Sequence, residues 1–333
     1  MPVLISYMTD RQMIVKYKGV QSKPKPLTGG APQGTLLGGI KYNITSGDCS
    51  VDTVAQKDRF RYYDDLEILE FIVLNDLLVQ YNFQEHIASD IGIDQLYLPS
   101  ENYKMQGYLN DISEWTDKNL MELNERKSNY IIFTRSKSEF STRLTLKEIT
   151  LDRLSVTKLL GVWLQEDMGW ETNVKQICKK AYSRIPILGK LKYAGIQNED
   201  LVTIYKLFIR SVTEYCSVVF HTSLTQDQRR RLETIQSTSL KLILADEYKD
   251  YESALQKCSL SSLFERREKR MQTFALRCTE DKFNKSLFPI NEKPIGGEKY
   301  RVNFARTSKY FQSAIPQCQR TLNNYNNHSK AKR

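Results

Sequence analysis

The sequence predicts an α+β protein: an antiparallel sheet with packed helices, followed by a second half that is almost all helix. Three observations predict it. Short runs of β-branched and aromatic residues, bounded by Gly, Pro, Asn and Asp, recur through residues 1–170. From Trp170 onward, apolar residues return instead at three- and four-residue steps, the spacing of a helix face. The charge divides at the same place. Residues 1–170 carry 19 Lys and Arg against 23 Asp and Glu, residues 171–333 carry 30 against 16, and the whole chain has a net charge of +10. A basic half of this kind suits a polyanionic partner, although a merely solvated basic surface has the same composition.

The first half is organised around Arg59-Phe60-Arg61-Tyr62-Tyr63-Asp64-Asp65-Leu66-Glu67-Ile68. Aromatic residues lead into two adjacent carboxylates, and apolar residues leave at alternate positions. The pattern predicts two short strands around a tight Asp-Asp turn. Neighbouring carboxylates repel each other, so at neutral pH Asp64 and Asp65 need solvent, a cationic partner or a hard divalent metal. Upstream, Gly29-Gly30-Ala31-Pro32-Gln33-Gly34 is a turn whose glycines allow close backbone approach. Gln33 can offer both a donor and an acceptor. No Lys-Ser or Lys-Thr follows the glycines, which excludes a phosphate-cradling P-loop.

The remaining elements follow in order. Ile5–Met8 and Gln12–Tyr17 read as strands, and Ser22–Pro26 as a loop, because its prolines cannot donate ladder hydrogen bonds. Apolar spacing predicts helices over 71–100 and 106–121, the second with Tyr108, Ile112, Trp115, Leu120 and Met121 inward. Residues 130–133, 142–149 and 156–164 read as strands, with 143–146 and 156–160 pairing as a hairpin across Asp152. Four helices are expected beyond them: about 171–193 with a kink at Pro186, 198–220 buried along its length, 226–244 capped by Thr225, and 263–283. The tail from Lys285 reads as loose.

Composition excludes several classes. The six cysteines form no Cys-x-x-Cys and the three histidines no ligand spacing, so reduced thiols are expected, with Cys216 in the core. His86 reads as an ordinary group, and Cys318 with His328 lacks the partners of a zinc module. No stretch approaches the ~18 apolar residues of a membrane span. The start lacks the charged and apolar segments of a secretory signal. An intracellular protein, nuclear or cytoplasmic, is expected.

Four segments in order resemble the palm of reverse transcriptases, most closely those of non-LTR (LINE-type) retrotransposons. Gly30-Ala31-Pro32-Gln33-Gly34 looks like the motif that contacts template and incoming nucleotide. Tyr62-Tyr63-Asp64-Asp65 looks like the catalytic hairpin. Asn124-Glu125-Arg126-Lys127 before Tyr130–Phe133 looks like the Asn-x-x-Lys motif, and Leu160-Gly161-Val162 like the hairpin that supports the primer end. The resemblance implies a partial palm over 1–170, a thumb-like helical domain over 171–245 and a helical C-terminal extension over 246–333.

It also implies RNA-directed DNA polymerisation by two-metal chemistry. Asp64 and Asp65 would hold Mg²⁺. Gly30, Pro32, Gln33, Gly34 and Tyr63 would line the nucleotide and template pocket. Lys127 would sit near the departing pyrophosphate. The implied partners are an RNA template, a DNA primer and dNTP. The family's first catalytic strand, with its own Asp, and its fingers have no counterpart before Pro32. An N-terminally truncated polymerase, inactive alone and needing the missing N-terminal part of its parent polypeptide, is therefore expected. Two alternatives stay open: a non-catalytic remnant that binds nucleic acid through its basic helices, and a helical interaction module.

Overall fold

A computed structural model describes residues 12–14, 16–17, 19–26, 59–62, 65–68, 95–96, 104–119, 121–133, 139–140, 143–281, 284–292, 298–305 and 307–331. Of 59–62, 65–68, 95–96, 139–140 and 326–331 it describes the backbone alone. The chain mixes short two-stranded pairs, separate rather than one antiparallel sheet and one of them parallel (Gln95–Leu96 with Glu139–Phe140), with packed helices, an α+β arrangement. It divides into two units: residues 1–130 with 136–152, and residues 131–135 with 153–333.

In the first unit, β1 (Gln12–Met13), β2 (Lys16–Tyr17), β3 (Val20–Gln21) and β4 (Lys25–Pro26) make two nested ladders, β1 with β4 and β2 with β3. The segment expected to loop at Ser22–Pro26 therefore ends in a strand. Proline is tolerated there because the pair is only two residues long and exposed. Next come β5 (Arg59–Tyr62), antiparallel to β6 (Asp65–Ile68), and β7 (Gln95–Leu96). Gln95–Leu96 thus forms a strand where a helix was expected over 71–100, and the other residues of that span lie outside the described residues.

Helix α1 (Lys104–Lys118) buries Tyr108, Ile112 and Thr116, with Trp115 only half-buried. Beyond it lie β8 (Asn129–Tyr130), β9 (Glu139–Phe140), β10 (Thr145–Leu146) and β11 (Ile149–Thr150). The two β-strands β10 and β11 pair through a turn at Lys147, whose φ is 54°. Leu144, Leu146 and Leu151 pack with Met105, Leu109, Leu123 and Tyr130. Gln106 then joins helix to hairpin. Its amide donates to Thr145 O and accepts from Thr145 N, both at 2.9 Å, so one side chain acts as a short third strand.

The second unit contains β12 (Asp152–Arg153, begun in the first), then β13 (Val156–Leu159) and β14 (Val162–Gln165), paired antiparallel. Residues 143–146 and 156–160 were expected to pair with each other. Instead each closes its own two-residue hairpin, which costs less chain entropy than pairing across 152.

The helices are α2 (Glu171–Tyr182), α3 (Ile185–Tyr193), α4 (Asn198–Ile204), α5 (Ser211–Glu214), α6 (Ser217–Phe220), α7 (Gln226–Leu244), α8 (Tyr251–Lys257), α9 (Leu263–Glu280), α10 (Ser308–Phe311) and α11 (Ala314–Ala331). Pro186 starts a new helix rather than kinking one, consistent with its missing N–H being harmless in a first turn. Expected helix 198–220 is broken. A π-helical turn spans Tyr205–Arg210, and Cys216 takes a left-handed φ of 49° before α6. Cys216 is exposed, not core; its conformation turns the chain outward. Leu201, Tyr205 and Ile209 are buried, whereas Leu207, Phe208, Tyr215 and Val219 are exposed, so this segment is amphipathic.

Helix α7 runs through the middle of the unit against α2, α3, α4, α8 and α9. Thr225 caps it as expected, in a reciprocal box with Gln228. Leu232, Ile235, Leu240 and Ile243 are fully buried in one apolar cluster with Val174, Leu188, Leu201 and Phe220. Asp250 caps α8 in the same reciprocal way with Ser253, and the Ser262 hydroxyl caps α9 by accepting from Glu265 N.

The tail expected to be loose is the 18-residue α11. Two buried amides one turn apart hold the preceding segment against it. Asn323 accepts from Tyr300 N at 2.8 Å and donates to Tyr300 O at 2.9 Å. Gln319 accepts from Asn303 N and donates to Leu287 O, both at 2.8 Å. Met271, Cys278, Phe288, Tyr300, Cys318 and Leu322 fill the space between. Burial pushes the Cys318 thiol up to about 12, the behaviour of a core group and not of a ligand.

Candidate functional site

The Asp hairpin begins as expected, with one refinement. The ladder pairs Arg59 with Ile68, Phe60 with Glu67, Arg61 with Leu66 and Tyr62 with Asp65. Asp65 is therefore the first residue of β6 and not a turn position. Tyr63, Asp64 and the bend Gly30, Pro32, Gln33 and Gly34 lie outside the described residues. Among the described residues no group of three or more His, Cys, Asp or Glu could hold a metal ion.

Lys127 ends a single 3₁₀ turn, Glu125–Lys127, just before β8. The Ser128 hydroxyl donates to Asn124 O at 3.0 Å and the Ser128 N–H to the same oxygen at 3.1 Å, which fixes the turn. Lys127 is exposed and has no ion-pair partner among the described residues.

Leu160, Gly161 and Val162 lie together at the tip of the β13–β14 hairpin. Leu160 and Gly161 both have positive φ, 44° and 88°, as the tight turn favoured between twisted strands requires. Glycine adopts this without strain; leucine does not. Val162 is buried and Leu160 exposed. On the α2 side, Asn173 Oδ1 accepts from Trp163 N at 3.2 Å, and Gln165 Oε1 accepts from Thr172 N at 2.7 Å. The strand thereby supplies a cap for α2.

Tyr215 also reaches this tip. Its hydroxyl donates to Leu160 O at 2.7 Å, across 55 residues of sequence. The sequence reading placed Tyr215 in a buried helical stripe. No local pattern could show that a helix break turns it toward a distant hairpin.

The basic residues separate into two sets. Glu214, only 4% exposed, accepts from Arg266 at two points and from Arg270 at 2.9 Å, with Arg210 at 3.9 Å. Its hydrogen bonds raise the Arg266 guanidinium further. Arg231 and Gln228 bind Glu171 and hold that carboxyl below its usual range. Arg267 is fully buried; its Nε donates to His221 Nδ1 at 3.2 Å, while His221 Nε2 faces Glu268 at 2.7 Å. These cations are committed to partners within the unit. Lys175, Lys179, Lys180, Lys190, Lys269 and Arg277 are exposed and have no ion-pair partner among the described residues. Charge clusters in the sequence could not distinguish the two sets, because the partners lie on other helices.

Curated proteins similar to this chain supply the remaining observation. It is 23% identical over 184 residues to the probable RNA-directed DNA polymerase from transposon BS of Drosophila melanogaster, covering 55% of this chain and 18% of that protein. It is 24% identical over 252 residues to the probable RNA-directed DNA polymerase from transposon X-element of the same organism, covering 74% and 25%. It is 21% identical over 186 residues to the RNA-directed DNA polymerase from mobile element jockey, also of D. melanogaster, covering 55% and 18%.

This chain is similar to transposon-encoded RNA-directed DNA polymerases.

The polymerase-like chain spans about a fifth to a quarter of the length of these relatives. No family model matches it, and no solved structure does. Among the described residues, no helix is long and apolar enough to cross a membrane.

Proposed function

We propose that this chain contributes palm and thumb elements of an RNA-directed DNA polymerase and that, by itself, it binds an RNA–DNA hybrid while incorporating little nucleotide. The similarity to three polymerases carries the reading, and the β5–β6 ladder, closing on Tyr62 and Asp65, supports it. Asp64 and Asp65 are the residues that would hold Mg²⁺. Their chemistry fits: consecutive carboxylates offer the hard oxygen donors that cation prefers. When bound, the cation stabilises charge that develops on the transferring phosphoryl group.

The chain's own residues do the rest. Gly30, Pro32, Gln33, Gly34 and Tyr63 shape the nucleotide and template pocket. Lys127, exposed and without an ion-pair partner among the described residues, offers its cation to the leaving pyrophosphate. Leu160, Gly161 and Val162 support the primer end. The exposed cations of α2, α3 and α9 grip a near-A-form hybrid by its phosphates, which gives affinity without sequence choice.

Nothing before Pro32 resembles the family's first catalytic strand with its Asp. At about 1.4 kcal/mol per tenfold, losing one anchoring carboxylate is expected to slow transfer roughly a thousandfold. Primer extension with Mg²⁺, dNTPs and an RNA template tests this directly. Trace incorporation is expected, and robust synthesis would refute the claim of inactivity. Filter binding of the hybrid at two salt concentrations tests the rest. Affinity that falls steeply with salt supports the phosphate grip, and absence of binding favours a helical interaction module.

A further inference from the structure

We infer that Tyr215 is a positioning residue for the β13–β14 tip, and that Glu214 and α9 set its place. The inference rests on the reading above that this tip supports the primer. Three observations converge on it. The Tyr215 hydroxyl donates to Leu160 O at 2.7 Å, the carbonyl at the crest of the turn. The ring also lies over Gly161: a Cβ built there would meet Tyr215 Cε1 at 3.1 Å. Glycine at 161 thus satisfies two demands, a φ of 88° and room for the ring.

The third observation is what fixes Tyr215. It sits at a helix break, in extended conformation between Glu214 at the end of α5 and left-handed Cys216. Left alone, such a break would be free to shift. Glu214 prevents this, because Arg266 and Arg270 of α9 and Arg210 of the π-helical turn hold its buried carboxylate. A two-point guanidinium contact fixes direction as well as distance. The order of control runs from α9 through Glu214 to Tyr215 and on to the tip. Tyr215 is 54% exposed and Leu160 45% exposed, so the tip and its brace present one open face. A nucleic-acid end resting there would meet both.

Tyr215→Phe, made in the full chain, tests the inference because it keeps the ring and removes only the hydroxyl. In the free protein, amide hydrogen exchange at Val162, which pairs with Leu159 across the turn, should quicken by about threefold to tenfold, the net worth of one hydrogen bond. Unchanged exchange would overturn the inference, whatever nucleic acid does. A second measurement uses an RNA–DNA hybrid with 2-aminopurine at the primer 3′ end. The variant should weaken the end-specific fluorescence change by more than it weakens affinity for the hybrid. Equal losses would reduce Tyr215 to a structural role. If the unaltered protein gives no end-specific signal, the primer-support reading falls, and the exchange result alone then decides whether Tyr215 positions the tip.

Discussion

The two units are held together by different means. In the first, the described strands are short, and much of what joins them to α1 is one side-chain amide and three buried leucines. In the second, α7 threads a continuous apolar cluster, and charged side chains of α9 pair with the buried Glu214 and His221. The residues proposed for chemistry belong mostly to the first unit and the residues that supply stability to the second.

The sharpest way to break the comparison is at Glu214. Glu214→Gln strips the carboxylate from three arginines and should cost about 4 kcal/mol, as expected for a buried pair that loses one partner. Urea unfolding followed by helical circular dichroism measures it. A cost under about 1 kcal/mol would mean that solvent already screens the cluster. Leu240→Ala should follow, at about 3 kcal/mol for a leucine truncated in a sealed core, read from the same transition.

Gln106→Ala should cost less, about 1–2 kcal/mol for two half-buried hydrogen bonds, and should expose the Thr145 amide to exchange. If it proved as damaging as Leu240→Ala, the contrast between the units would be wrong. The smallest effect expected is a pH dependence in the second unit. His221 and Arg231 hold Glu268 and Glu171 below the ordinary 4.5, so the folded state binds these protons less readily than the unfolded chain. Their contribution is present above that value and lost as pH falls beneath it. Melting temperatures between pH 3 and 6 should show the decline, and Glu268→Gln should flatten it.

Much of the helical half was legible because its signals are local. Thr225 marks a capped start; Pro186 was legible as an interruption but was read as a kink in one helix, where it instead sits in the first turn of a second. The break at Tyr215–Cys216 was not legible, since apolar residues continue through it at helical spacing while only distant partners determine which face turns inward. The C-terminal helix was misread for a related reason. Gln319 and Asn323 look like surface residues, yet both are buried because they satisfy the backbone of another segment. The candidate site is proposed from an order of motifs. Its brace at Tyr215 was not legible, because a contact across 55 residues leaves no trace in local sequence.

The amide pair of α11 has a practical consequence. A shortened version ending near residue 312 would look harmless by composition, since it discards mainly polar residues. It would strip Phe288 and Tyr300 of their cover and leave the backbone at Leu287, Tyr300 and Asn303 without partners, so insolubility of such a version would report a missing lid and not a failed enzyme.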